Sequence, residues 1–177
     1  MLYYGAKELA FGNRTVRNNT LIIANEIPEE KYGFKPTPEY RSVAQLLIHI
    51  ALSYQFQYQL HAVDKRDSFE GIDFSSLMAR LSSEEAKPRT KAQIIELLKQ
   101  EGEKWAGWVE GLKEEFLSQT VRMPEGATPA TKSRFEMILS VKEHEMHHRG
   151  QLMLIERILG IVPHLTRERE ERMRQSR

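Results

Sequence analysis

The chain has 177 residues, enough for one ordinary domain with its own core. It contains no cysteine, which excludes disulfides, thiolate metal sites and thiol nucleophiles and leaves imidazole, carboxylate and water to bind any ion. Lys and Arg total 26 against 25 Asp and Glu, a net charge of +1 with the signs well mixed, so no nucleic-acid partner is expected. The start of the chain shows no basic region followed by an apolar run, and no apolar stretch is long enough to cross a bilayer. These features predict a soluble, cytoplasmic protein with no membrane partner.

The first predicted helix runs from about Tyr4 to Glu26, where Leu9, Val16, Leu21, Ile22 and Ile23 recur among polar residues. Gly12 and Asn18-Asn19-Thr20 work against it, because these residues favour caps and turns. The helix ends before Pro28, and residues 31–36 read as a loop. Thr37-Pro38 has the form of a helix opening, with threonine capping free amides and proline at the first helical position. The second helix is expected from there to about Val63. On its wheel Leu46, Leu52, Phe56, Leu60 and Val63 fall within about 60° of His49, which turns His49 inward. His61, roughly 120° away, is expected at the edge or in solvent.

Between Asp64 and Arg89 the composition changes to loop residues, with a short helical piece expected over Phe74 to Leu81. Thr90 and Gln93 have capping-box spacing and open a third long helix to about Leu117, with Ile94, Leu98, Trp105, Leu112 and Phe116 on one face. Glu101 falls within that apolar face, as a satisfied buried carboxylate, a partner to a site residue or a proton-transfer group. Gly102, Gly107 and Gly111 mark a bend or a close approach by a neighbour. A loop with Pro124, Gly126 and Pro129 leads to the fourth long helix, from about Thr131 to Leu159. The tail from His164 is polar and helix-permitting. No strand is predicted. The expected domains are a helical bundle over 1–163 and a charged tail over 164–177.

Three of the six histidines lie in Lys142-Glu-His-Glu-Met-His-His-Arg-Gly-Gln-Leu152. His144 and His148, four residues apart, project about 40° from one another on a helix, close enough to share an ion. Met137, Val141, Ile155 and Leu159 share their face, whereas His147 sits about 100° from His148 at its border. Glu145 points about 100° from His144, toward the surface or a supporting position beside the site. Gln151 can orient a ligand or cap a neighbouring helix, and Arg149 is expected at the surface or in an intersubunit ion pair. Trp105, Trp108 and Tyr54 are expected to pack in the core or at a dimer contact.

Four long amphipathic helices make an all-α, antiparallel four-helix bundle, in which side chains from facing helices build internal sites. A lone inward histidine such as His49 is usually a hydrogen-bonded core residue. Three in one bundle leave costly unsatisfied polarity unless they are paired or bind an ion. His49, His144 and His148 together would form a three-histidine face with coordination positions left open.

The stretches Phe34-Lys-Pro-Thr-Pro-Glu-Tyr-Arg-Ser-Val, Leu46-Leu-Ile-His49 and His144-Glu-Met-His-His148-Arg-Gly-Gln-Leu resemble the DinB-like family of four-helix-bundle metalloproteins. The resemblance implies His49, His144 and His148 as ligands of a divalent metal ion, with zinc or nickel first and iron or manganese as further candidates. It also implies a homodimer, and a relation to thiol S-transferases and thiol-dependent isomerases that use a low-molecular-weight thiol. The reading is therefore a metal-dependent transferase or hydrolase that activates a thiol cosubstrate or water on a small-molecule substrate. The alternative is a metal-stabilised bundle that binds a partner without turnover, as in a stress-response interaction protein.

Overall fold

A computed structural model describes residues 4–176, so residues 1–3 of the expected domain and residue 177 of the expected tail lie outside the description. The helices are α1 (Ala6–Glu26), α2 (Val43–Tyr58), α3 (Phe74–Glu85), α4 (Lys91–Glu110), α5 (Glu114–Leu117), α6 (Arg134–Ile158) and α7 (His164–Gln175). Two three-residue strands, β1 (Thr120–Arg122) and β2 (Thr131–Ser133), pair antiparallel with Thr120 opposite Ser133. This pair corrects the expectation of no strand; at three residues each, the strands are too short to leave a period-two pattern.

Four helices form the bundle: α1 and α2 lie across a diagonal, and each packs against both α4 and α6. Contacts fix the directions. Arg14 meets Glu103 while Lys91 reaches the carbonyls of Asn25 and Ile27, so α1 and α4 are antiparallel. His49 meets His144 while Leu60 clusters with Met137, so α2 and α6 are antiparallel too. Gln55 bonds Glu101 and Tyr58 packs on Trp108, which makes α2 and α4 parallel. The segment between them, with α3, is long enough to carry the chain back along the bundle before α4 begins.

Local chemistry sets the helix ends. Thr90 and Gln93 form the predicted capping box, and Ser133 with Glu136 does the same for α6. Thr37-Pro38, by contrast, does not open α2. The carbonyl of Thr37 accepts from the Tyr40 amide in a turn, and the helix starts after Ser42, whose side chain forms a capping box with Gln45 directly before the apolar residues. The third long helix stops at Glu110 instead of running to Leu117, with Gly111 at its end.

Two large apolar clusters fill the bundle, beside the smaller one that joins Leu60 and Met137 to Phe69 and Val121. One gathers Ile23, Leu46, Leu47, Ile50, Ile94, Leu98, Leu152 and Ile155, and the other Leu9, Tyr54, Trp105, Val109, Ile138 and Val141. Each fully buried Leu or Ile contributes about 1.5–3 kcal/mol. Trp105 and Tyr54 pack as expected, with ring centroids 5.7 Å apart.

Between the clusters lies a buried polar network. Glu145, 0% exposed, accepts from Arg17 Nε at 2.9 Å and Nη2 at 3.1 Å, from Thr20 Oγ1 at 2.7 Å and from the Tyr54 hydroxyl. This corrects the placement of Glu145 near the surface. A single wheel assigns one inward face, but α6 packs against both α1 and α2 and so buries two.

His61 is also corrected: it is 0% exposed, and its Nδ1 accepts from Arg134 Nη1 at 2.8 Å. The chain leaves α2 through a π-helical turn, Gln59–Val63, whose wider winding breaks the 100° step and turns His61 inward. Burial, and then the charge of Arg134, lower its pKa to about 4, so it stays neutral.

Candidate metal centre

Where α2 and α6 cross, His49 faces His144 and His148. The Nε2 atoms of His49 and His144 are 3.2 Å apart, and those of His144 and His148 are 3.1 Å apart. One ligand atom from each of the three lies within 4.8 Å of the others. Two nitrogens held about 2.0–2.1 Å from one tetrahedral ion stand roughly 3.3–3.4 Å apart, so the observed spacing fits a shared ion.

The groups behind the rings set their tautomers. His49 Nδ1 lies 2.6 Å from Glu85 Oε1, and His148 Nδ1 lies 2.8 Å from Gln151 Oε1. Both partners are acceptors, so each ring directs an N–H there, and the neutral ring turns a bare Nε2 lone pair toward the centre. His144 has one N–H and can donate it to only one of the two. Its Nδ1 is buried with no partner among the described residues. Three imidazoles converging in this way form a donor set that a cation satisfies.

The electrostatics agree. Burial, and then His148 and His49 as neighbours, lower His144 to about 4, and burial lowers His148 as well. Both rings are therefore unprotonated and able to ligate at neutral pH. Burial by itself would raise the Glu85 carboxyl, but hydrogen bonds from His49 and Arg41 outweigh it and hold Glu85 below its ordinary value. Glu85 thus stays an anion, with Oε1 on His49 and Oε2 on Arg41 Nε at 2.9 Å.

His147 lies outside the convergence, as its wheel position predicts: it is exposed, and Gln151 Nε2 reaches its Nε2 at 3.0 Å. Gln151 thereby links the two rings. Glu101 is half-buried on α4 and accepts from Gln55 Nε2 at 3.0 Å, away from the three histidines. Arg149 is half-buried rather than surface-exposed, and its Nε has no partner among the described residues.

Sequence reasoning missed Glu85 and Arg41. Glu85 ends the short helix α3, one of two adjacent glutamates with no distinguishing pattern, and only the packing of α3 against α2 brings it to His49.

Two cavities flank the histidines. One of about 300 Å³ opens beside His49 and His144 between α2, α3 and α6. The other, about 140 Å³, lies beside His148 and is bordered by Tyr40, Arg41 and Gln151.

Comparison with known proteins agrees with this architecture. A DinB-like protein from Bacillus subtilis, YjoA, superposes with a TM-score of 0.62 at 22% identity, over 86% of this chain and 92% of that one. YfiT from Bacillus subtilis, described as a probable metal-dependent hydrolase with an unusual four-helix bundle topology, gives a TM-score of 0.69 at 12% identity, over 91% of each chain. The colibactin self-resistance protein ClbS, solved in complex with double-stranded DNA, gives 0.59 at 14% identity, over 86% of this chain and 98% of that one. A search of curated proteins finds no match. No described helix is long and apolar enough to cross a membrane. The sequence profile of the DinB superfamily matches residues 13–152, and the chain belongs to that superfamily.

Proposed function

We propose that His49, His144 and His148 hold a divalent metal ion and that the chain is a metal-dependent enzyme acting on a small molecule. The observation that carries this reading is the convergence of three Nε2 atoms whose outer nitrogens are held by Glu85 and Gln151 or left unpartnered. Zinc or nickel suits an all-imidazole donor set first. Bound there, such an ion acidifies water or a thiol and so supplies a nucleophile near neutral pH. Glu85 fixes the ring plane of His49, and Gln151 fixes that of His148. For thiol transfer, the thiolate comes from a cosubstrate, because the chain has no cysteine. The description of YfiT as a probable metal-dependent hydrolase supports the broader class, and water is the nucleophile for that branch.

Elemental analysis after reconstitution tests the site. Wild type should take up stoichiometric zinc or nickel, and His49→Ala, His144→Ala and His148→Ala should lose it. Thiol-conjugation and ester-hydrolysis screens then test turnover. Full metal content and full activity in His49→Ala would overturn the assignment.

A second reading has the ion act as a staple, since the three histidines join α2 to α6. Under it a chelator lowers the melting temperature while neither screen shows turnover. The homodimer belongs to the proposal as well: Leu154 and Ile158, 58% and 54% exposed, offer an apolar surface on α6, and sedimentation of Ile158→Glu against wild type tests it. A small molecule remains our proposed partner in preference to DNA, because the chain's charge is balanced. A salt-dependent shift of duplex DNA would overturn that preference.

A further inference from the structure

The larger cavity beside the histidines has a definite chemical character. Leu52, Phe56, Met78, Leu81 and Val141 supply its apolar walls, and among the described residues no lysine or arginine lines it. Its one carboxylate, Glu85, is committed on both oxygens to His49 and Arg41. Besides His49 and His144, the remaining polar groups are Ser53, Gln57 and Ser140. Both hydroxyl hydrogens are already spent inside their own helices, Ser53 on the Ile50 carbonyl at 2.9 Å and Ser140 on the Met137 carbonyl at 2.7 Å. What these serines offer a ligand is therefore lone pairs. Gln57 Oε1 is itself buried with no partner among the described residues and does not face the open space.

We propose that this cavity binds an uncharged, largely apolar molecule of aryl or branched-alkyl type that carries a hydrogen-bond donor. The proposal deepens the reading above and rests on it for calling that molecule the substrate. A volume of about 300 Å³ holds a bicyclic ring system and falls at the lower end of small-molecule sites. Away from the histidines the walls offer an anion no cation in return for its lost water, whereas an apolar ring gains the walls at no such cost. The charge-bearing side of the site is the smaller cavity, where Arg41 stands beside His148 and Gln151. The ligand would lie with its apolar body between α2 and α3 and its reacting end at the edges of His49 and His144.

The test uses the full chain labelled at its methionine methyl groups. Met78 is the methionine that lines the cavity, and Met78→Leu identifies its signal. Chelator-treated and zinc-loaded protein are each titrated with 2-naphthol, an uncharged donor, and with 2-naphthalenesulfonate, its anionic counterpart. The Met78 signal should shift saturably with 2-naphthol in both forms and, in the chelator-treated form, respond at least tenfold more weakly to the sulfonate. Met78→Glu places a charge at a position 49% exposed, where folding tolerates it, and should weaken 2-naphthol binding severalfold by calorimetry. An unmoved Met78 signal, or equal response to the two probes in chelator-treated protein, refutes the proposal. Saturable 2-naphthol binding in a protein that takes up no zinc upholds the ligand class while refuting the metal reading. Zinc uptake with no Met78 response does the reverse.

Discussion

Glu85→Ala isolates the groups that aim the proposed metal site without touching the three histidines. Glu85 Oε1 stands 2.6 Å from His49 Nδ1, and both side chains are largely shielded, at 11% and 21% exposed. Removing the carboxylate frees the His49 ring to rotate and to carry its proton on Nε2, the nitrogen that faces the centre. Loss of such a supporting acceptor costs about 10- to 100-fold in metal affinity, or roughly 1.4–2.7 kcal/mol. Glu85→Gln keeps an acceptor without the charge and should fall at the low end. Arg41→Ala, which leaves the His49–Glu85 contact in place, should cost less than Glu85→Ala. Competition against a chromophoric zinc chelator at pH 7.5 measures all three, with His49→Ala as the reference for a lost ligand. Wild-type zinc affinity in Glu85→Ala, alongside a clear loss in His49→Ala, would refute the claim that the carboxylate positions the ring.

The buried network gives a second prediction: Glu145→Ala leaves Arg17 buried and unpaired at 4% exposure, and should cost about 3–5 kcal/mol in denaturant melts of metal-free protein. Arg17→Met with Glu145→Leu should cost less than the sum of the two single losses. Gly102→Ala should destabilise by about 1–3 kcal/mol, against helix propensity, because the new Cβ would stand 2.8 Å from Arg17 Cγ. Gly107→Ala, whose nearest neighbouring atom is 3.9 Å away, is the control and should be neutral or stabilising in the same melts. Glu156 sets a pH dependence: it is 0% exposed, neither oxygen has a partner among the described residues, and burial, with Glu26 adding to it, raises its carboxyl from 4.5 to about 7. A group whose pKa rises on folding favours the folded state below its unfolded value, and that contribution is lost as pH climbs from 4.5 through about 7, by roughly 3 kcal/mol in all. Glu156→Gln should therefore gain melting temperature over wild type progressively from pH 5 to pH 8; an unchanged difference across that range would show that Glu156 ionises as freely as in the unfolded chain.

Much of the site was legible because it rests on periodicity and short-range chemistry. Four-residue spacing puts His144 and His148 on one face of any helix, and the apolar residues around His49 turn it inward wherever the bundle closes. The capping pair Thr90 and Gln93 marks the start of α4 for the same reason, since both partners lie within one turn. Wheel reasoning failed where its assumptions failed. A π turn changed the angular step before His61, and α6 buried a second face that took Glu145 into the core beside Arg17, Thr20 and Tyr54.

Other features depended on tertiary structure alone. The parallel run of α2 and α4 follows from the length and path of the segment that carries α3. That same path delivers Glu85 to His49 and sets Met78 and Leu81 over the larger cavity. Spacing along the chain encodes which residues share a face, because neighbours within a helix are fixed by its winding. Which faces meet, and which charged or apolar groups stand behind each histidine, is decided only when the helices pack.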